Sequence, residues 1–157
     1  METVDKKINS CQEMKKFGAD LAGNVLKSAG RSSGALVFAL EGELGAGKTQ
    51  FVKGFAQGLG IKQPILSPTF VIWRPYKIPS QSKSNFNNFF HLDCYRLESL
   101  TDAYTVRIDK ILKNSANIAA IEWPQVVVRL IPTDAWHLKF IITGKNQRTV
   151  KIQRMKN

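Results

Sequence analysis

Apolar positions along the chain change their period several times, and each change marks an element. Met14, Phe17, Leu21 and Val25 recur every three or four residues, the spacing of one helix face. Ahead of them, Ser10 and Glu13 form the S-x-x-E arrangement in which two side chains satisfy free amides at a helix start, and Gly30 offers a stop. "ALVFAL", Ala35 to Leu40, is instead a continuous apolar run, as suits a strand buried on both faces. Phe51, Phe55 and Leu59 return to helical spacing, so Lys48 to Leu59 reads as a helix closed near Gly60. "SPTFVIWRPY" then reads as a loop entering a strand at about Thr69, and "KIPSQSKSNFN" as a solvated loop. "NFFHLD" and "NIAAIEW" are further buried-strand candidates with an acid at the end of each apolar run. Between them Tyr104, Ile108, Ile111 and Leu112 line one face of a helix. The tail segments "AWHLKFII" and "RTVKIQR" alternate around a Gly-containing turn, as the arms of a hairpin do. Strands alternating with helices predict an α/β fold, a mainly parallel sheet flanked by helices with a C-terminal antiparallel hairpin at its edge.

Composition narrows the class. A chain of 157 residues, 43% hydrophobic, is long enough for one core and is expected to form a single domain over residues 1–157. No apolar run is long enough to span a bilayer, and the opening "METVDKKINSCQEMKKFG" lacks the apolar stretch of a signal peptide. Cys11 and Cys94 make neither a disulfide framework nor a metal cluster. A cytoplasmic address without membrane contact is therefore expected. Lys and Arg number 23 against 12 Asp and Glu, a net charge of +11. Such an excess favours polyanionic partners such as RNA and speeds encounter with nucleotides, although the charges are spread rather than gathered into an arm.

The strongest chemical signal lies between the first buried strand and the second helix. Gly42, four residues, then Gly47-Lys48-Thr49 match G-x-x-x-x-G-K-[ST], the phosphate-binding P-loop. Glycines there let the backbone approach phosphate oxygens, and successive amides point inward at a helix N-terminus whose dipole favours anions. Lys48 supplies a point charge to the β- and γ-phosphates, and the Thr49 hydroxyl a ligand for Mg²⁺.

Hydrolysis also needs acids. In open α/β sheets the ligand lies beyond the carboxyl ends of the strands, where Asp93 and Glu122 are expected to stand. One can hold the metal while the other acts on water; spacing does not divide the roles. Thr69 in "SPTF" is a candidate γ-phosphate sensor, and equally a residue that begins a strand after a Ser-Pro turn. His91 reads as a hydrogen-bonded core histidine, Cys94 as a small buried residue, Trp123 and Trp136 as packing. The chain has no N-K-x-D segment to read guanine, which favours ATP, and no Arg-rich lid of the kind that small kinases close over two substrates.

"GELGAGKT", "SPTF", "HLDCYRL" and "IEW", in this order and at these intervals, resemble the TsaE (YjeE) family of small bacterial ATPases. The likeness runs from the first helix to the final hairpin. The resemblance implies a role in threonylcarbamoyladenosine modification of tRNA next to the anticodon, with ATP hydrolysis resetting a partner complex of TsaB with TsaD. It implies phosphate binding by Leu44, Gly45, Ala46, Gly47, Lys48 and Thr49, and Mg²⁺ held by Thr49 with Glu122. Asp93 becomes the acid most needed for hydrolysis, and Thr69 part of a switch-like loop. Trp123 lies beside the site, Arg148 near the nucleotide, and Ser10 with Cys11 where the family touches the adenine. The chain departs from the family pattern in having no glycine within "ESLTDAYTVRIDKIL", a proline in "IEWPQ" and a long "KIPSQSKSN" loop. Two rivals remain: a small P-loop kinase, which moves the γ-phosphate to an acceptor other than water, and a basic RNA-binding module indifferent to ATP.

Overall fold

A computed structural model describes residues 2–28, 33–80 and 84–154. Strands β1 (Glu2–Ile8), β2 (Leu36–Glu41), β3 (Trp73–Lys77), β4 (Asn88–Asp93), β5 (Asn117–Glu122), β6 (Trp136–Ile142) and β7 (Arg148–Arg154) form one sheet. Its order is β1-β7-β6-β2-β5-β4-β3. The helices are α1 (Cys11–Ser28), α2 (Lys48–Gly58), α3 (Leu100–Thr105) and α4 (Ile108–Lys113), with a 3₁₀ helix at Pro124–Leu130. The expected stop at Gly30 falls outside the described residues.

The sheet is α/β but only half parallel. The pairs β2–β5, β2–β6 and β4–β5 are parallel, while β1–β7, β3–β4 and β6–β7 are antiparallel. The expected mainly parallel sheet is thus confined to the four central strands, and antiparallel flanks close both sides. β2 and β5 are the apolar runs buried from end to end, as strands covered on both faces must be. The hairpin of β6 and β7 forms as its alternation predicts, and β1 extends it at the edge. β1 has little apolar signal because, among its described side chains, only Ile8 is buried in the core; its ladder to β7 holds it.

Two further expectations change. The strand anticipated at Thr69 begins at Trp73 instead, because residues 68–72 fold into a turn in which the amides of Val71 and Ile72 donate to the Pro68 carbonyl. Pro75 lies inside β3, which an edge strand tolerates. The single helix around 104–112 is two short ones, interrupted where Arg107 adopts a left-handed φ of 64°. An unanticipated capping box starts α3: Ser99 Oγ accepts from the Asp102 amide, and Asp102 Oδ2 accepts from the Ser99 amide. At α1, Ser10 Oγ accepts from the Glu13 amide while Glu13 reaches the Asn9 amide, one residue before the box geometry.

One apolar layer fills the face beneath α1 and α2, with Phe38, Phe51, Phe55 and Phe89 inaccessible to solvent. A second, built around Leu92, Ile108, Ile121 and Val127, fills the face beneath α3, α4 and the 3₁₀ helix. Between these layers, the carboxyl ends of β2, β4 and β5 open onto the site.

Candidate functional site

The loop after β2 is shaped by two glycines in particular. Gly42 has φ 152°, and a side chain on it would start 2.7 Å from the Phe140 carbonyl oxygen of β6. Gly47, with φ 103°, stands at the N-cap of α2, where no side chain caps the helix. The first amides of α2 are therefore left to face a pocket of about 600 Å³ that the loop lines from Glu43 to Gln50. That is the arrangement that attracts anions.

Lys48 lies in the floor of this pocket, only 5% exposed. Its ammonium donates to the Gly42 carbonyl and, at 3.2 Å, to that of Glu43. It also sits 4.2 Å from the centre of the Trp123 ring, a cation–π contact. Burial lowers its pKa from 10.5, and the nearby Glu122 and Asp93 carboxylates work in the opposite direction.

Both predicted acids reach the pocket. Asp93 and Glu122 are direct register partners at the ends of the parallel strands β4 and β5, and both are buried at the pocket wall. Each is aimed by fixed donors. Asp93 Oδ2 accepts from the Thr69 hydroxyl at 3.1 Å and Oδ1 from the Tyr95 amide at 3.0 Å. Ser67 and Thr69 share a hydroxyl–hydroxyl bond of 2.8 Å. Glu122 Oε1 accepts from His91 Nε2 at 2.9 Å. Behind Asp93, the Cys94 thiol is pushed up to about 12 by its burial and, secondarily, by the Asp93 charge.

The remaining candidates close the rim. Trp123, at a left-handed φ of 55°, turns the chain sharply after β5, and Pro124 follows at the first position of the 3₁₀ helix, where its missing amide costs nothing. The Trp123 ring packs on Tyr95 at 5.1 Å. Arg148 opens β7 and donates from Nη2 to the Gly45 carbonyl at 3.1 Å, and from Nη1 to those of Gly144 and Gln147. It thereby ties the glycine-rich loop to the hairpin. Ser10 and Cys11, at the start of α1, also line the pocket. The residues to which the family resemblance gives a role at the site, Ser10 and Cys11, Leu44 to Thr49, Thr69, Asp93, Glu122, Trp123 and Arg148, thus line one cavity, Leu44 at the exposed tip of the loop included; Gly42 shapes the loop from outside it. The hairpin-turn residues Lys145 and Asn146 join them, with no signal in the sequence. His91 is a core residue as expected, yet it also touches Glu122. Its position two residues before Asp93, on the same strand face, was the available clue.

Among the described residues no group of three or more His, Cys, Asp and Glu forms a ready metal cage. A divalent ion such as Mg²⁺ needs no such cage, since it is usually held by one or two protein oxygens together with substrate phosphates and water; Thr49, Asp93 and Glu122 line the same pocket and could provide those oxygens.

A family model described as "Threonylcarbamoyl adenosine biosynthesis protein TsaE" matches residues 8–150. The chain belongs to the TsaE family. Among curated relatives, the TsaE protein of Borreliella burgdorferi is 39% identical over 112 residues, 71% of this chain and 77% of the relative. That of Rickettsia typhi is 30% identical over 148 residues, covering 94% and 92%. Both are named as tRNA threonylcarbamoyladenosine biosynthesis proteins. The crystal structure of Bacillus subtilis YdiB shares the fold, with a TM-score of 0.72 and 24% identity over 99% of this chain and 88% of that one. Among the described residues no helix is long and apolar enough to cross a membrane.

Proposed function

We propose that this TsaE-family chain is a P-loop ATPase that binds ATP with Mg²⁺ and hydrolyses it in support of a TsaB–TsaD complex during threonylcarbamoyladenosine modification of tRNA. The observation that carries the reading is the convergence of Lys48, Thr49, Asp93 and Glu122 on one pocket at the carboxyl edge of the parallel strands.

Residues Leu44 to Thr49 cradle the phosphates through backbone amides. Lys48, already buried and partly desolvated, exchanges its contacts with the loop carbonyls for the β- and γ-oxygens. Thr49 and Glu122 hold Mg²⁺, which neutralises charge on the phosphates when bound. Asp93, held by the Thr69 hydroxyl and the Tyr95 amide, orients the attacking water. Thr69 reports on the γ-phosphate because its hydroxyl is shared between Ser67 and Asp93. Ser10 and Cys11 face the base, and Arg148 steadies the loop tip beside the nucleotide. The single domain works in the cytoplasm, and tRNA meets the chain directly or through the complex.

Phosphate release from ATP, measured with and without purified TsaB–TsaD, tests this. The wild type is expected to release phosphate faster with the partners, and Asp93→Ala to lose about 100-fold or more of that rate while still binding ATP. Transfer of labelled γ-phosphate to an acceptor other than water would instead favour the kinase. Salt-sensitive tRNA binding that ignores both ATP and Lys48→Ala would favour the RNA-binding module.

A further inference from the structure

His91 is the most deeply placed polar side chain near the pocket, with no solvent exposure. Along β4, Phe89, His91 and Asp93 alternate onto the sheet face beneath α2. Phe89 serves the core there and Asp93 the pocket. The register neighbour of His91 on β5 is Ala120, whose methyl leaves room for the imidazole to lean forward along β5. It ends 2.9 Å from Glu122 Oε1, and because a carboxylate can only accept, Nε2 is the donor. The other ring nitrogen, Nδ1, is buried and has no hydrogen-bond partner among the described residues.

A buried nitrogen without a partner is unfavourable, and leucine or phenylalanine would fill the same space without it. Packing alone therefore does not account for histidine here; the bond to Glu122 does. A glutamate has three rotatable side-chain bonds, so a carboxylate at a pocket wall wanders unless something fixes it. We propose that His91 is a positioning residue for the divalent cation bound with the nucleotide: by holding Oε1 it fixes the orientation of Glu122 and leaves Oε2 directed to the pocket. Partners that orient a ligating carboxylate commonly govern metal affinity by about 10- to 100-fold. This inference rests on the Mg²⁺-nucleotide reading above.

The test compares binding of a non-hydrolysable ATP analogue by calorimetry, in Mg²⁺ and in EDTA, for wild type, His91→Leu and His91→Gln. Leucine removes the donor, whereas a glutamine amide can replace Nε2. The tightening that Mg²⁺ gives is expected to shrink about tenfold in His91→Leu and to return in His91→Gln. Affinity in EDTA should stay within about twofold of wild type in both, which a general loss of packing would not allow. Should His91→Leu not fold, His91→Asn, too short to reach Glu122, takes its place. Full Mg²⁺ tightening in the donor-less variant overturns the inference and leaves the phosphate site standing. So does an equal loss in EDTA, or failure of glutamine to restore the effect. A wild type that binds no analogue, or binds it with no Mg²⁺ effect, overturns both.

Discussion

The two faces of the sheet are built on different principles. On one, α1 and α2, of 18 and 11 residues, lie so close that backbone meets backbone. A side chain on Gly18 would begin 2.4 Å from the Phe51 carbonyl oxygen, one on Gly54 1.9 Å from that of Lys15, and one on Gly58 2.4 Å from that of Ala19. On the other, α3 and α4 have six residues each and are placed by a capping box and by non-glycine residues in left-handed conformations. The first face is specified by repetition and small residues, the second by single conformations. The glycine-rich loop after β2 issues into α2 on the first face, and both acids stand at strand ends between the two layers. What differs is how far a local change spreads: across a helix pair on one side, within a turn on the other.

Gly54→Ala attacks the close helix pair and carries the largest expected effect. By helix propensity alone alanine gains about 1 kcal/mol over glycine. The Lys15 carbonyl is backbone and cannot step aside, so α1 must move away from α2. A net loss of about 3 kcal/mol is expected in urea unfolding, as for severe overpacking. A gain would mean that the helices are not held by glycine contact. The same variant should weaken nucleotide binding, since Met14 of α1 packs against Gly47 in the phosphate loop.

The same contrast decides what can be read in the sequence. α1, α2, β2, β5 and the final hairpin are legible because period and burial agree over many residues. The loop after β2 is legible because its backbone geometry demands glycine at fixed offsets. Asp93 and Glu122 are legible because each ends an apolar run, and the register then sets them side by side. β1 is not legible: in "ETVDKKI" Ile8 alone among the described side chains is buried in the core, and the strand relies on ladder bonds that leave no apolar period. The turn at 68–72 and the break at Arg107 are hidden for a related reason, since Ile72 and Arg107 take positive φ without being glycine. The other antiparallel pairings, β1–β7 and β3–β4, escape because pairing direction is set by the partner rather than by either strand alone.

The cysteines sharpen the comparison chemically. Cys11 is exposed at the head of α1, whereas Cys94 is buried in the layer of the second face. With its ordinary value of 9.0 pushed up to about 12, the Cys94 thiol keeps its proton in the folded chain at a pH where the unfolded chain has lost it. The folded state then binds more protons, so this contribution leaves stability intact below pH 9 and erodes it as pH rises toward 12. At a pH near 10 the loss is about 1 kcal/mol. Cys94→Ala should remove that slope, at the cost of a small cavity that is independent of pH. Unfolding curves for wild type and variant across this range check it, and parallel slopes would contradict it.

The smallest effect separates the faces most cleanly. Arg107 is exposed, and its backbone turn links α3 to α4 through its amide on the Tyr104 carbonyl and its carbonyl on the Lys110 amide. An ordinary residue in the left-handed region gives up about 1–2 kcal/mol, while glycine adds unfolded-state entropy worth about 0.4–1 kcal/mol. Arg107→Gly is therefore expected to stabilise the chain by about 0.5 kcal/mol, opposite in sign to a typical glycine substitution at an exposed site. Because the interruption is confined to one residue between two short helices, ATP affinity should not move. A destabilised variant would mean that the arginine side chain holds this face together, and the difference between the two faces would then lie in side-chain contacts rather than in backbone conformation.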